Sequence, residues 1–502
     1  MFSSKDLKQI ENHGISKDTL EKQLYALQKG VSYCEVIRPA DLNDGIEEVS
    51  TEANNNFEEA MQGCSLSAFI PASGAATRMF KDLYADFEKL KNDTDYNDFS
   101  ESTTLFFNNL QKFALYDNLQ AHLLKNGVNL SNLLKKKQYL SILEALLAEK
   151  SLNYAHIPKG LLPFHKYKNA YRTAVEEHLA QADAIFPKNT VCKLHFTVSE
   201  QFMNLFQKQV ENFQKQSKRE FEITYSIQQP STDTISLQSN NTPLRDKDGN
   251  LLFRQGGHGS LLKNLNAIDA DIVYIQNIDN LLVENKRKNV IKHKQLIINL
   301  LLNYQKKIFT FIKRLDTTVF DNLMLNEIES FLQKHFYTTF TKGYWLLEII
   351  DRQKYLKFLL DRPLRVCSMV KRTKEPGGGP FWMKNKIGHI SRQIVEMSEI
   401  NTQLPSQQHA VETSHYFNPV DIVCGLKNYK GQKFDLQQFK DNDRFFVSQK
   451  NINGKTVKIL ENPGLWNGAM SDWLSIFVVA PPDTFAPVKT INDLLRKEHI
   501  FA

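Results

Sequence analysis

The chain predicts an α/β protein built on a doubly wound, mainly parallel sheet with two helical insertions. Three observations carry that expectation. The short runs "VCKLHFTV", "FEITYSIQQ" and "ADIVYIQNID" are β-branched or aromatic-rich, and helix-like stretches such as "EQFMNLFQKQVENFQKQ" stand between them; that alternation marks strands joined by crossover helices. An apolar run at 66–70 breaks at Pro71 into a Ser/Gly/Ala turn, and a helix-like "ATRMFKDLY" opens with Thr77 and Arg78. Two blocks, about 82–153 and 281–360, show apolar spacing of three and four and interrupt the strand signals.

Taken in order, residues 1–60 read as a helical N-terminal segment, with Ser16 capping "KDTLEKQLYALQKG" and Gly30 ending it. Residues 61–400 read as the core with its two insertions, "LFFNNLQKFALYDNLQAHLLKNG" lying in the first. Strand signals return in "LRVCSMV" and "RQIVEMSEI", where Glu396 and Glu399 are expected along a strand on one side. Residues 401–502 complete the core through "SIFVVAPP". The basic run "ENKRKNVIKHK" reads as a solvated helix face.

Composition narrows the function classes. A net charge of +7 over 502 residues is too dilute for a nucleic-acid partner, but it permits a local phosphate pocket. The five cysteines, at 34, 64, 192, 367 and 424, include no CxxC pair, so reduced thiols are expected. "MFSSKDLKQIENHG" has no apolar signal region, and "LIINLLLNY" falls short of the ~20 residues of a membrane span. A cytoplasmic protein with no membrane partner is the expectation.

In parallel α/β sheets ligands bind beyond the carboxyl ends of strands. The polar or glycine-rich residues there are the turn Ser73, Gly74, Ala75, Ala76, Thr77 with Arg78; Lys159 between two prolines; Gln228 and Gln229; Gly256, Gly257 and Gly259; Asp279 with Asn280; and Lys489. A nucleoside triphosphate could use all of these. Its phosphates need backbone donors and cations, its Mg2+ needs a carboxylate, and its base needs a flat slot. A glutamine amide matches the donor and acceptor that uracil presents in one plane, Gln229 being preferred, and Gly256 and Gly257 would let the backbone close on the ring. His258 reads as structural, since phosphoryl transfer needs no histidine.

"GGHGSLLKNL" followed by "YIQNIDNLL" resembles the paired motifs of eukaryotic-type UDP-sugar pyrophosphorylases. "IPKGLLPF" resembles the proline–lysine motif of sugar nucleotidyltransferases, "IVEMSEI" is similar to a stretch of the UDP-N-acetylhexosamine branch, and "FAPVKTINDLL" is similar to the C-terminal lysine motif of the UDP-glucose branch. These stretches follow the family's order, and the chain looks most like a bacterial family related to these enzymes. Where that family has Gly-Gly-x-Gly-Thr this chain has Ser73-Gly74-Ala75-Ala76-Thr77. About 80 residues separate that loop from Lys159, and Asp421 stands where Asn is usual in "FNPVD".

The resemblance implies a nucleotide-diphospho-sugar transferase (GT-A-like) fold that makes a UDP-sugar and pyrophosphate from UTP and a sugar 1-phosphate, with Mg2+. It implies Arg78, Lys159 and Lys489 as the phosphate-facing cations, Asp279 as the metal ligand, and Glu396, Glu399 and Asn418 toward the sugar. A UDP-sugar-binding sensor or a glycosyltransferase on the same fold is the alternative.

Overall fold

The computed structural model describes the chain except residues 1, 31, 50–55, 94–95, 169, 318–321, 373–376, 386–387, 453–454 and 502. The apolar runs form strands, here numbered in chain order: β1 (Leu66–Pro71), β2 (Cys192–Thr197), β3 (Phe221–Ser226), β4 (Ile272–Gln276), β5 (Leu364–Lys371), β6 (Asp421–Gly425) and β7 (Leu474–Val479). The chain divides into two compact units. One comprises Met1–Leu66, Ile227–Ile275 and Leu296–Ala480; the other comprises Ser67–Ser226, Gln276–Gln295 and Pro481–Ala502.

In the second unit β1, β2 and β3 lie side by side and parallel, with Phe69 opposite His195 and Phe196 opposite Tyr225. Parallel strands need crossovers, and helices Ala174–Ile185 and Met203–Gln214 provide them. The first starts on a reciprocal cap, in which Thr173 accepts from the Glu176 N–H and Glu176 accepts from the Thr173 N–H. Five helices between Lys81 and Leu147 occupy the first block of helical spacing. β1 and β2 are buried along nearly their whole length, and β1 reads accordingly as a near-continuous apolar run.

In the other unit β4 neighbours β6, which neighbours β5. β5 runs antiparallel to β6 and parallel to β7, with Val366 opposite both Val423 and Ile476. The architecture is mixed α/β. A four-stranded antiparallel sheet includes Thr234–Gln238 and Lys455–Glu461. Helix Lys17–Lys29 lays Leu20, Ala26 and Leu27 against its Ile235, Leu237 and Leu460. That helix is capped by Ser16, which accepts from the Thr19 N–H, and ends at Gly30 with φ 81°.

Two expectations are corrected. The stretch 35–46 is not helical: Glu35–Pro39 pairs antiparallel with Gly379–Lys384, and Val36 is buried with Phe381 and Met383. Nor is the basic run at 284–294 a solvated face, because Arg287, His293 and Lys294 are buried. Arg287 is paired with the buried Glu177, a partner far away in sequence. Among the described residues, no helix is long and apolar enough to cross a membrane.

Candidate active site

Where β4 ends, the chain turns through Asp279 and Asn280, both buried. One oxygen of Asp279 takes two ammonium groups: Lys159 Nζ lies 2.8 Å from Oδ2 and Lys489 Nζ 3.1 Å from the same atom. Lys159 also donates to the Val488 carbonyl at 2.8 Å, and the Val488 N–H donates to the Asp279 carbonyl at 2.9 Å. Burial alone would raise the Asp279 carboxyl, but the charges of Lys489 and Lys159 outweigh it and hold it below the ordinary value. The two lysines differ in kind. The Lys159 side chain is 13% exposed and doubly bonded, whereas that of Lys489 is 56% exposed. Water screens the Lys489 pair, so its ammonium can leave Asp279 for another anion at little cost.

Asn280 fixes the tail that brings Lys489. Its side-chain oxygen accepts from the Ala486 N–H at 3.0 Å, and its carbonyl accepts from Gln276 Nε2 at 2.6 Å. The loop after β1 is tied to the same place. The Lys159 N–H donates to the Gly74 carbonyl, the Ala76 N–H to the Ile157 carbonyl, and the Ile491 N–H to the Met79 carbonyl. Gly74, Ala75, Thr77 and Arg78 are exposed there, and a Cβ at Gly74 would meet nothing within 4 Å. Arg78 makes no ion pair among the described residues. Its expected place in the first turn of an α-helix is corrected: residues Ala76–Arg78 form a 3-10 turn, and the α-helix begins at Lys81 because Phe80 leaves helical geometry (ψ 13°).

The tail is anchored a second time farther on. His499 Nδ1 meets His165 Nε2 at 2.9 Å, and His165 Nδ1 meets Glu177 Oε1 at 2.9 Å. Tyr167 donates to the same carboxylate at 2.5 Å, and Arg287 pairs with it. Burial would raise Glu177, but the hydrogen bond and charge of His165, then the Arg287 charge, bring it down to about 2 from its ordinary 4.5. A carboxylate lowered on folding stabilises the protein above its unfolded value, and that contribution is lost as pH falls toward the folded one. The melting-temperature advantage of wild type over Glu177→Gln is therefore expected to be full above pH 4.5 and to shrink as pH approaches 2. An advantage that stays constant across that window would contradict the assignment.

The residues expected to read base and sugar lie in the first unit. Gln228 Nε2 donates to Asp233 Oδ1 at 3.0 Å, while Gln229 is exposed. Gly256 has a reason to be glycine within the chain itself: a Cβ would stand 2.3 Å from Asn462 Nδ2 and 2.8 Å from Ser260 Oγ. Gly257 has φ +73°, and its Cβ would reach 2.8 Å from Glu461 Oε2. Gly256→Ala is expected to cost about 1–3 kcal/mol of stability, read as a lower urea midpoint. An unchanged midpoint would mean that Asn462 moves aside freely. His258 stacks on Trp466 with ring centres 4.1 Å apart and accepts from the Leu465 N–H at 3.0 Å. Burial pushes its imidazole down to about 4, as suits a neutral structural ring.

The glutamates do not share one strand side: residues three apart on a strand face opposite sides, and the strand ends before them. The strand stops at Val395, and Glu396 caps a 3-10 turn of Met397–Glu399 whose Glu399 carboxylate accepts from the Glu396 N–H at 2.8 Å. The buried Glu399 is further held by Arg444, with Nη2 2.9 Å from Oε1, so of the two carboxylates Glu396 is the more open. Asn418 is also engaged: its amide donates to the Ser368 carbonyl at 2.9 Å and its oxygen accepts from the Val420 N–H at 3.1 Å.

Lys159, Lys489 and Asp279 thus meet directly, and the Ser73–Thr77 residues are hydrogen-bonded to the Lys159 turn. Sequence reasoning gave no role to the Val488 carbonyl, to Asn280 as a tail anchor, or to the Glu177–His165–His499 chain. The first two lay inside motifs already noted. The third joins residues with no local pattern.

A family model described as "Domain of unknown function (DUF4301)" matches residues 3–500. No curated protein matches the chain. Among solved structures, a mutant UDP-glucose pyrophosphorylase from Leishmania major in complex with UDP-glucose is 12% identical with TM-score 0.45, covering 99% of this chain and 79% of that one. A uridine diphosphate N-acetylglucosamine pyrophosphorylase from Trypanosoma brucei in complex with inhibitor is 13% identical with TM-score 0.49, covering 98% and 79%. A UDP-glucose phosphorylase from Trypanosoma brucei is 14% identical with TM-score 0.44, covering 98% and 77%. With all but a few terminal residues matched by its model, the chain belongs to the DUF4301 family.

Proposed function

We propose that this protein is a nucleotidyltransferase of the nucleotide-diphospho-sugar transferase (GT-A-like) type, joining UTP and a sugar 1-phosphate to give a UDP-sugar and pyrophosphate. The observation that carries the reading is the Lys159–Asp279–Lys489 cluster at a strand end, with the exposed Arg78 on a loop bonded to the same turn. Two ammonium groups against one carboxylate leave the cluster net positive, the charge a triphosphate would meet.

An oxygen of the sugar phosphate, already ionised near neutral pH, attacks the α-phosphorus. The bond from that phosphorus to the bridging oxygen breaks, and pyrophosphate leaves with the electron pair. No proton moves, so no general base is required, and the protein contributes alignment and charge neutralisation. Lys159, fixed by Asp279 and Val488, is preorganised. Lys489 is free to exchange Asp279 for phosphate oxygens, and Arg78 reaches the triphosphate from the loop.

For Mg2+ the fit is narrow. Among the described residues no three His, Cys, Asp or Glu side chains gather to hold a metal. A magnesium ion that takes most of its ligands from phosphates and water needs only one or two carboxylates, and Asp279 would supply one. Held by Asp279, Mg2+ would supply further charge neutralisation for the phosphates.

The uridine and sugar assignments rest on the motif resemblance at Gln229, Gly256, Gly257, Glu396 and Asn418. They are tested by presenting four nucleoside triphosphates with a panel of sugar 1-phosphates and following nucleotide-sugar formation. UTP should exceed CTP in kcat/KM by on the order of 10-fold or more, because cytosine presents a donor and an acceptor in reversed places and leaves amide groups unpaired. Equal values for UTP and CTP would remove Gln229 from base reading, and no product from any pair would overturn the enzyme assignment.

A further inference from the structure

A pocket of about 420 Å3 in the second unit belongs to none of the residues used above for phosphate chemistry: Asp279, Lys159, Lys489 and Arg78 are absent from its lining. Its volume is in the range of small-molecule sites. Three cations line it, Lys112, Lys166 and Lys168, and no carboxylate does. Lys166 pairs sideways with Asp117 at 3.1 Å. Lys112 and Lys168 are exposed and enter no ion pair among the described residues. One wall is aromatic: the Tyr167 and Phe501 rings stand 5.0 Å apart, inclined at 55°. The other wall comes from the anchored tail, where the buried His499 is held by His165.

We infer that this pocket binds a small organic anion, a phosphate or carboxylate carried on a flat apolar body, with Lys112 and Lys168 facing the anionic group and Tyr167 and Phe501 facing the body. Uncompensated ammonium groups beside aromatic faces favour that combination over a bare inorganic ion or a neutral ring, since each half of such a ligand finds its own partner.

Calorimetry on the full chain with 1-naphthyl phosphate, inorganic phosphate and 1-naphthol tests it. The expected result is binding of 1-naphthyl phosphate at least ten-fold tighter than either fragment. It should weaken ten-fold or more in the double variant Lys112→Glu/Lys168→Glu, whose altered side chains are exposed, and also in Phe501→Ala. Arg78→Ala and Lys489→Ala should leave it unchanged. Binding that survives charge reversal, binding lost in Arg78→Ala or Lys489→Ala, or no binding by the wild type would each overturn the proposal. The first two outcomes would place the probe elsewhere, the second on the phosphate cluster.

Discussion

Asp279→Asn is expected to lower pyrophosphate release from UTP and sugar 1-phosphate by ~100-fold or more, equivalent to about 2.7 kcal/mol of barrier. The substitution keeps shape and removes charge. Two ammonium groups that share one oxygen at 2.8 and 3.1 Å stand within about 6 Å of each other. At an effective dielectric of ~20 their repulsion is on the order of 3 kcal/mol once the carboxylate is gone. Lys159 is too enclosed to escape, so Lys489 swings out and the preorganised cluster is lost. The melting temperature should fall as well, and saturating pyrophosphate should raise it more in the variant than in wild type, because an added anion takes the carboxylate's place between the lysines. A folded variant with near wild-type turnover would remove Asp279 from the site.

Lys489→Ala is expected to lower kcat by roughly 10- to 100-fold while changing KM by less than about three-fold. In the free protein Lys489 already has a partner in Asp279 and is half exposed, so its exchange onto ground-state phosphates gains little. As pyrophosphate departs, negative charge grows on the leaving group, and a cation placed there strengthens its contact only at that moment. Such an interaction appears in kcat and kcat/KM together. Steady-state kinetics on the purified variant decide the matter: a raised KM with unchanged kcat would make Lys489 a general binding residue instead.

Much of the fold could be read from local pattern. The strands β1, β4, β5 and β7 follow apolar runs that burial imposes, β2 and β3 follow β-branched or aromatic-rich runs, and β6 carried no strand signal of its own. Ser16 and Gly30 bound their helix by capping chemistry that acts within a few residues. Failures came where a distant partner decided the outcome. Residues 35–39 form a strand because Gly379–Lys384 offers a register for them. Arg287 goes inside because Glu177 is there to receive it, and Glu399 turns toward Arg444 where an alternating pattern put it on a strand face.

The candidate site was legible in a similar way. Each of Lys159, Asp279 and Lys489 stood out by its place at the end of an apolar run or within a recognisable motif. Their meeting at one carboxylate oxygen depends on the tail being fastened by Asn280 and His499, and no spacing in the sequence carries that information. Gly256 shows the reverse case. Its glycine was legible as a need for close approach, but the atoms in the Cβ direction belong to Asn462, Ser260 and Thr232.

Run backward, the reaction separates a pyrophosphorylase from a glycosyltransferase, a hydrolase and a sensor. Wild-type protein is mixed with pyrophosphate and each of a panel of UDP-sugars, and the nucleotide products are separated. UTP is expected to form in a one-to-one ratio with pyrophosphate consumed, for at least one UDP-sugar, and its formation to fall by ~100-fold or more in Asp279→Asn. Release of UDP with pyrophosphate untouched would make the protein a glycosyltransferase or hydrolase. A UDP-sugar that binds by calorimetry yet yields neither nucleotide would make it a sensor, and either result would contradict a nucleotidyltransferase.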